Sequence, residues 1–193
     1  GGIVKNGAYT QQLTGAGVTD YTGTTVINAG TLEAGKVLST SGITINGSGA
    51  FTSNVASVVN SSVPVNLAGA GSIWTIGNGF SQSVGSLVGV AGSRVVTGTG
   101  LDLTIGNNTG TAKTFGGIIS GGGNVVINAA SPVEFTGGNN YTGSTTVNQG
   151  ILRIGTGSLL EVLPDTTAVT LAGLAGVALD LNGKAETIGS LSG

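Results

Sequence analysis

The chain has 193 residues, a formal net charge of −2, 38 glycines, no cysteine and no histidine. Only 7% of its residues are charged, against roughly a quarter in an ordinary soluble domain, and its six scattered Lys and Arg residues form no basic patch to neutralise a nucleic-acid backbone. The missing Cys and His exclude disulfides, thiolate metal sites and Ser-His-Asp or Cys-His nucleophile systems, while a hydrophobic content of 39% excludes a disordered tract and leaves solubility to Thr, Ser and Asn.

From the first residues onward the pattern is one of short strands. "GGIVKNG" (1–7) ends in an Asn-Gly pair, and further Asn-Gly pairs stand at 46–47, 78–79 and 182–183. Both residue types tolerate positive φ, so each pair predicts a turn. "YTGTTVINAGTLEAG" (21–35) follows as strand, Asn28-Ala29-Gly30 corner, strand. "GTLEAGKV" (30–37) within it has the glycine and lysine spacing of a phosphate-binding loop, but Val37 stands where Ser or Thr would hold magnesium and no helix pattern follows. The expectation there is a corner and no cofactor. "ITI" (43–45), "LDLTI" (101–105) and "LDL" (179–181) alternate apolar and polar residues and place Leu101, Leu103, Ile105, Leu179 and Leu181 on inward faces.

At 141–155 the string of 21–35 returns as "YTGSTTVNQGILRIG" without a gap. Two copies of one structure should agree inside and vary outside. Ile27/Val147, Leu32/Leu152 and Ala34/Ile154 stay apolar and are read as core; Val26/Thr146, Thr31/Ile151 and Glu33/Arg153 change polarity or charge and are read as outward and solvated. A second pair, "NGFSQSVGSLVG" (78–89) and "NGKAETIGSLSG" (182–193), lies 104 residues apart instead of 120. Such slippage points to a stack of small units, each contacting its neighbours. Units of about twenty residues give about six coils per module, and about nine coils make a rod of roughly 40 Å. The chain is read as a single solenoid segment over 1–193 whose ends show no polar cap, and therefore as an excerpt of a longer array or a subunit with covered ends.

Residues 13–35 and 135–155 resemble the passenger-associated transport repeat of bacterial autotransporters, and "TFGGIISGGG" and "LDLNGKAETIGSLSG" resemble passenger sequence around such repeats. The resemblance implies a right-handed parallel β-helix, secreted or displayed at the cell surface and anchored in the outer membrane through a region outside this chain. Inward Val, Ile and Leu columns with Gly and Asn at corners suit that all-β fold on physical grounds.

The candidate chemistry is sparse. No metal ligand set is expected. Asp102 and Asp180, both mid-strand and outward, are the acids that would serve a carbohydrate-active β-helix enzyme. Tyr21 and Tyr141 recur and are expected to pack a corner; Trp74 has no counterpart and is the one possible contact residue for a ligand. The expected role is a non-catalytic adhesive rod with a host-surface or glycan ligand, or self-association side by side or end to end; a self-assembling fibre or surface-layer subunit and the carbohydrate-active enzyme are the alternatives. No apolar run is long enough to insert this segment into a membrane as a helix.

Overall fold

Apolar residues at every second position, broken by glycine-containing corners, wind the chain into a parallel β-solenoid. The computed structural model describes residues 1–77, 79–157 and 161–193; Asn78 of the third Asn-Gly pair lies outside the described residues. Among the described residues, three parallel sheets of nine, seven and six strands form the sides of the coil. The chain runs from the first face to the second to the third and back, as Ser86–Gly89, Arg94–Thr97, Asp102–Ile105 and then Lys113–Phe115 show. No helix among the described residues is long and apolar enough to cross a membrane.

Register on the first face passes through Lys5, Ile27, Ile45, Leu67, Gly89, Phe115, Phe135 and Ile154. Coils therefore vary from the 18 residues of Ile27 to Ile45 to the 27 of Leu152 to Leu179. Variation is absorbed at corners because the ladder only requires that the strands return in register. On the third face the first coils are joined by the isolated bridges Val18 to Val37 and Leu38 to Val59 instead of by paired strands; the continuous six-stranded sheet starts at Gln82–Val84.

The register alters one expectation. Thr25–Ile27 and Thr31–Ala34 lie on the first and second faces, whereas their copies Thr145–Gln149 and Ile151–Ile154 lie on the third and first. The module thus spans five coils and two faces, not six whole coils. Ser86–Gly89 and its counterpart Ser190–Ser192 likewise stand on the first and third faces, four coils and two faces apart. The sixteen-residue slip between the two repeats is the loss of one coil, with the angular offset kept. What the repeated sequence encodes is a corner, and the same corner fits different edges of the prism.

Inward columns fill the interior. Ile27, Leu32, Leu103, Ile105, Val147, Leu152 and Ile154 are fully buried. Leu101 is only half-buried, because it precedes strand Asp102–Ile105 in the turn where its amide donates to Gly98 O at 3.3 Å. Leu179 is half-buried against the core cluster. Leu181 is 38% exposed, one residue beyond strand Ala178–Asp180, so its inward assignment is corrected.

Candidate functional site

Trp74 is not a contact residue. It is fully buried, its ring stacks on Phe51 of the adjoining coil with centroids 6.4 Å apart, and its Nε1 donates to Ser53 Oγ at 3.2 Å. Alternation in "IWTI" turns Trp74 and Ile76 inward and leaves Ile73 outside at 39% exposure, so period two is the signal that places this residue, and the lack of a repeat partner misleads.

The two acids of the carbohydrate-active reading do not meet. Asp102 lies on the third face and accepts Asn124 Nδ2 at 2.9 Å, while Asp180 lies on the first. There Asp180 Oδ2 accepts Arg153 Nε at 2.7 Å, and Arg153 Nη1 reaches Glu134 Oε1 at 3.2 Å. Glu134, Arg153 and Asp180 are consecutive in the ladder, so acid, base and acid stack across three coils. Bonding to Arg153, then to the Asn182 amide, lowers the Asp180 carboxyl from its ordinary value. Arg153 is thus half-buried and bracketed by acids instead of freely solvated.

Within "GTLEAGKV", Thr31–Ala34 is an extended strand between the corners at Gly30 and Gly35. A straight strand separates the two glycines, so their amides cannot converge on one phosphate.

The repeated tyrosine instead starts a buried hydroxyl relay. Tyr21 Oη lies 2.6 Å from Thr25 Oγ1, which donates to Thr40 Oγ1 at 3.0 Å, and Thr40 Oγ1 reaches Gly42 O at 2.8 Å. In the second copy Tyr141 Oη lies 2.5 Å from Thr145 Oγ1; that oxygen lies 3.2 Å from Thr167 Oγ1, which donates to Gly143 O at 2.9 Å. Hydroxyls suit this place because each both donates and accepts, so the line ends on a carbonyl with no buried donor wasted. Burial first, then the neighbouring charge of Glu186, outweighs these bonds and pushes the Tyr141 phenol up to about 12. Thr25 and Thr145 are visible in the repeat. Thr40 and Thr167 are not, since they come from the next coil at different sequence distances.

Other side chains, two of them buried, staple coil to coil. Gln82 Oε1 takes the Val58 amide at 2.9 Å while its Nε2 donates to Val55 O at 2.7 Å. Asn139 Oδ1 takes the Ile119 amide at 2.8 Å, and its Nδ2 donates to Val162 O at 2.9 Å. Glu186 accepts the Val162 and Leu163 amides at 3.0 and 2.5 Å, with its carboxyl raised mainly by burial. Asn6, Asn28 and Asn46 form a ladder, Asn28 Nδ2 donating to Asn6 Oδ1 at 2.7 Å and Asn46 Nδ2 to Asn28 Oδ1 at 2.8 Å.

On the outside, the central row of the first face reads Val4, Val26, Thr44, Asn66, Val88 and Thr114 before the charged ladder begins. A trough of about 860 Å³ opens on the third side where the sheet is interrupted, with Val18, Leu38 and Val59 beside Ser41, Asn60 and Ser62; no charged or aromatic side chain lines it. No group of His, Cys, Asp and Glu among the described residues is arranged to hold a metal ion.

The model of the passenger-associated-transport-repeat family matches residues 3–34 and 133–154, the two stretches that carry the Tyr-Thr relay's first members and the repeated corner. The chain therefore carries passenger-associated transport repeats. Across 160 residues, 79% of this passenger-repeat chain, it is 36% identical to a protein described as Adhesin BmaC autotransporter, from Brucella suis biovar 1 (strain 1330). The chain spans 4% of the length of that relative. No solved structure matches this passenger-repeat chain. The second matched stretch starts on the first face at strand Val133–Phe135 and ends on the same face one coil later at Ile151–Ile154.

Proposed function

We propose that this chain is a non-catalytic, adhesive part of a passenger displayed on or released from a bacterial surface, working as a stiff rod that presents a sparsely charged surface. The observation that carries this reading is the nine-stranded first-face ladder, running from Ile3–Lys5 to Ala178–Asp180 over a single apolar core cluster. Hydrogen bonds directed along the axis and a packed column make bending costly. Similarity to an adhesin adds the role to the shape. Anchoring in the outer membrane through another part of the protein belongs to the same proposal. Side-by-side association of copies would use the uncharged half of the first face, where no like charges oppose approach.

The test is direct. Beads coated with the folded protein are expected to bind host cells or matrix-coated surfaces above beads coated with a heat-unfolded sample. Equal binding by both, or by neither, refutes the adhesive role of this segment. Release of sugars from a polysaccharide panel, lost in Asp102→Asn, would restore the enzyme reading.

A further inference from the structure

As a sequence signal Asn-Gly marks a turn, yet it is also the dipeptide in which an asparagine amide is most open to attack by the next backbone nitrogen. The pairs sit in unlike surroundings. Asn182 and Gly183 are both exposed, with φ of 50° and 72°, and Lys184 N donates to Leu181 O at 2.8 Å, so they are the two central residues of a type I′ turn. Among the described residues the Asn182 carboxamide makes no hydrogen bond; only its backbone N–H is held, by Asp180 Oδ1 at 2.9 Å. A methyl group placed on Gly183 would meet nothing within 4 Å.

Asn46 is held differently. Its carboxamide is the last rung of the Asn6–Asn28–Asn46 ladder, its N–H donates to Ile27 O at 2.8 Å, and its C=O accepts Gly49 N at 2.8 Å. Backbone atoms of Gly47 lie directly against Gly69 of the next coil. To reach the Gly47 nitrogen, Asn46 Cγ must leave the rung and the coil must open. Asn6 is intermediate: it is exposed, but its Oδ1 accepts from Asn28.

We infer that Asn182–Gly183 is a spontaneous deamidation site of the folded protein and that the asparagine ladder protects Asn46–Gly47 from the same reaction. The deprotonated Gly183 nitrogen attacks Asn182 Cγ and forms a new C–N bond; the bond from Cγ to Nδ2 breaks, and ammonia leaves with the proton. The resulting succinimide is opened by water at Cγ to give aspartate or at the backbone carbonyl carbon to give isoaspartate. Nothing is oxidised or reduced, and water is the only co-reactant. The product adds a negative charge beside Asp180 and, as isoaspartate, one backbone carbon in the turn. In the ladder the same change would set a carboxylate of Asn46 against Asn28 Oδ1, two acceptors face to face.

The experiment ages the folded protein at mildly alkaline pH in isotopically labelled water and maps the peptides by mass spectrometry. Asn182 should gain the label first, Asn6 next and Asn46 last, with Asn182 about tenfold or more ahead of Asn46, the factor that modest local opening imposes. In urea the three rates should converge. Asn28→Ala, checked for folding by circular dichroism, should accelerate Asn46 and leave Asn182 unchanged. Comparable rates at Asn46 and Asn182 in the folded protein, an unmodified Asn182, or indifference of Asn46 to Asn28→Ala would each overturn the inference.

Discussion

The Tyr141 hydroxyl shows how a single polar atom is accommodated in this interior. Removing it in Tyr141→Phe leaves Thr145 and Thr167 bonded to each other and to Gly143 O, so the loss should be about 1 kcal/mol in chemical denaturation. Thr145→Val is worse, because it strands the phenol and costs about 1–3 kcal/mol; the double variant should lose less than the sum. The pH dependence follows from the raised phenol. An unfolded Tyr141 ionises from about pH 10, whereas the folded one holds its proton to about 12, so its share of stability is complete below 10 and is lost as pH climbs to 12. Alkaline unfolding of wild type should therefore be steeper across that window than that of Tyr141→Phe, and identical curves would contradict the assignment. Glu186→Gln should hold or raise stability at neutral pH, since Oε1 can keep both amides while Glu161 and Asp165 no longer repel it. Glu186→Ala should lose about 1–3 kcal/mol by leaving those amides unpaired. At this scale the sequence discloses the tyrosine, its nearest threonine and the inward Ile, Leu and Val of the two copies. It conceals the Phe51 partner of Trp74 and the relay's far ends, because a period-two pattern says which side a residue faces and not which residue of the next coil it meets.

The element that recurs is the corner, and Gly150 shows why it is built as it is. Its φ is +78°, and a Cβ there would lie 2.0 Å from Ala129 O. Gly150→Ala combines left-handed strain with a backbone collision and should cost at least about 2 kcal/mol. Gly173→Ala, with open space around it, should stay within about 0.5 kcal/mol of wild type. The charged ladder is the other inter-coil device, and it behaves as an exposed one. Arg153→Glu would stack three acids across adjacent strands, which is unfavourable; its melting temperature should fall at low salt and largely recover in concentrated salt. Since Arg153 depresses the Asp180 carboxyl, the pair's contribution is present above the ordinary aspartate range and disappears as pH falls through the lowered folded value. In Arg153→Gln that acid-side loss should shrink to the part that the Asn182 amide sustains. The corner is legible because both copies keep Gly at the turn between two alternating segments. Its position on the prism is not, because local sequence sets a bend and the count of residues around the coil sets the face.

For the whole molecule, the two repeat offsets imply that coils are removable only in whole units. Phe115 and Phe135 occupy successive first-face positions, so excising residues 116–135 joins Phe115 to Thr136 at the point where Phe135 had joined it. Phe115 then stacks on Ile154, as Phe135 did, and the later faces keep their phase. Local costs are identifiable: the Phe115–Phe135 edge contact goes, Arg153 loses Glu134, and Asn139 loses the Ile119 amide it accepted. Against these stand nearest-neighbour interfaces elsewhere that are untouched, the property expected of a one-dimensional stack. The shortened protein should fold with unchanged strand content per residue by circular dichroism and a single cooperative transition at somewhat lower denaturant. Excising residues 126–135 instead removes only part of a coil, displaces every later strand by a face and turns inward columns toward solvent. That variant should be protease-sensitive and without a cooperative transition. If both deletions unfolded alike, the coil would not be the unit of this structure, and the constant angular offset between its repeats would have no structural cause.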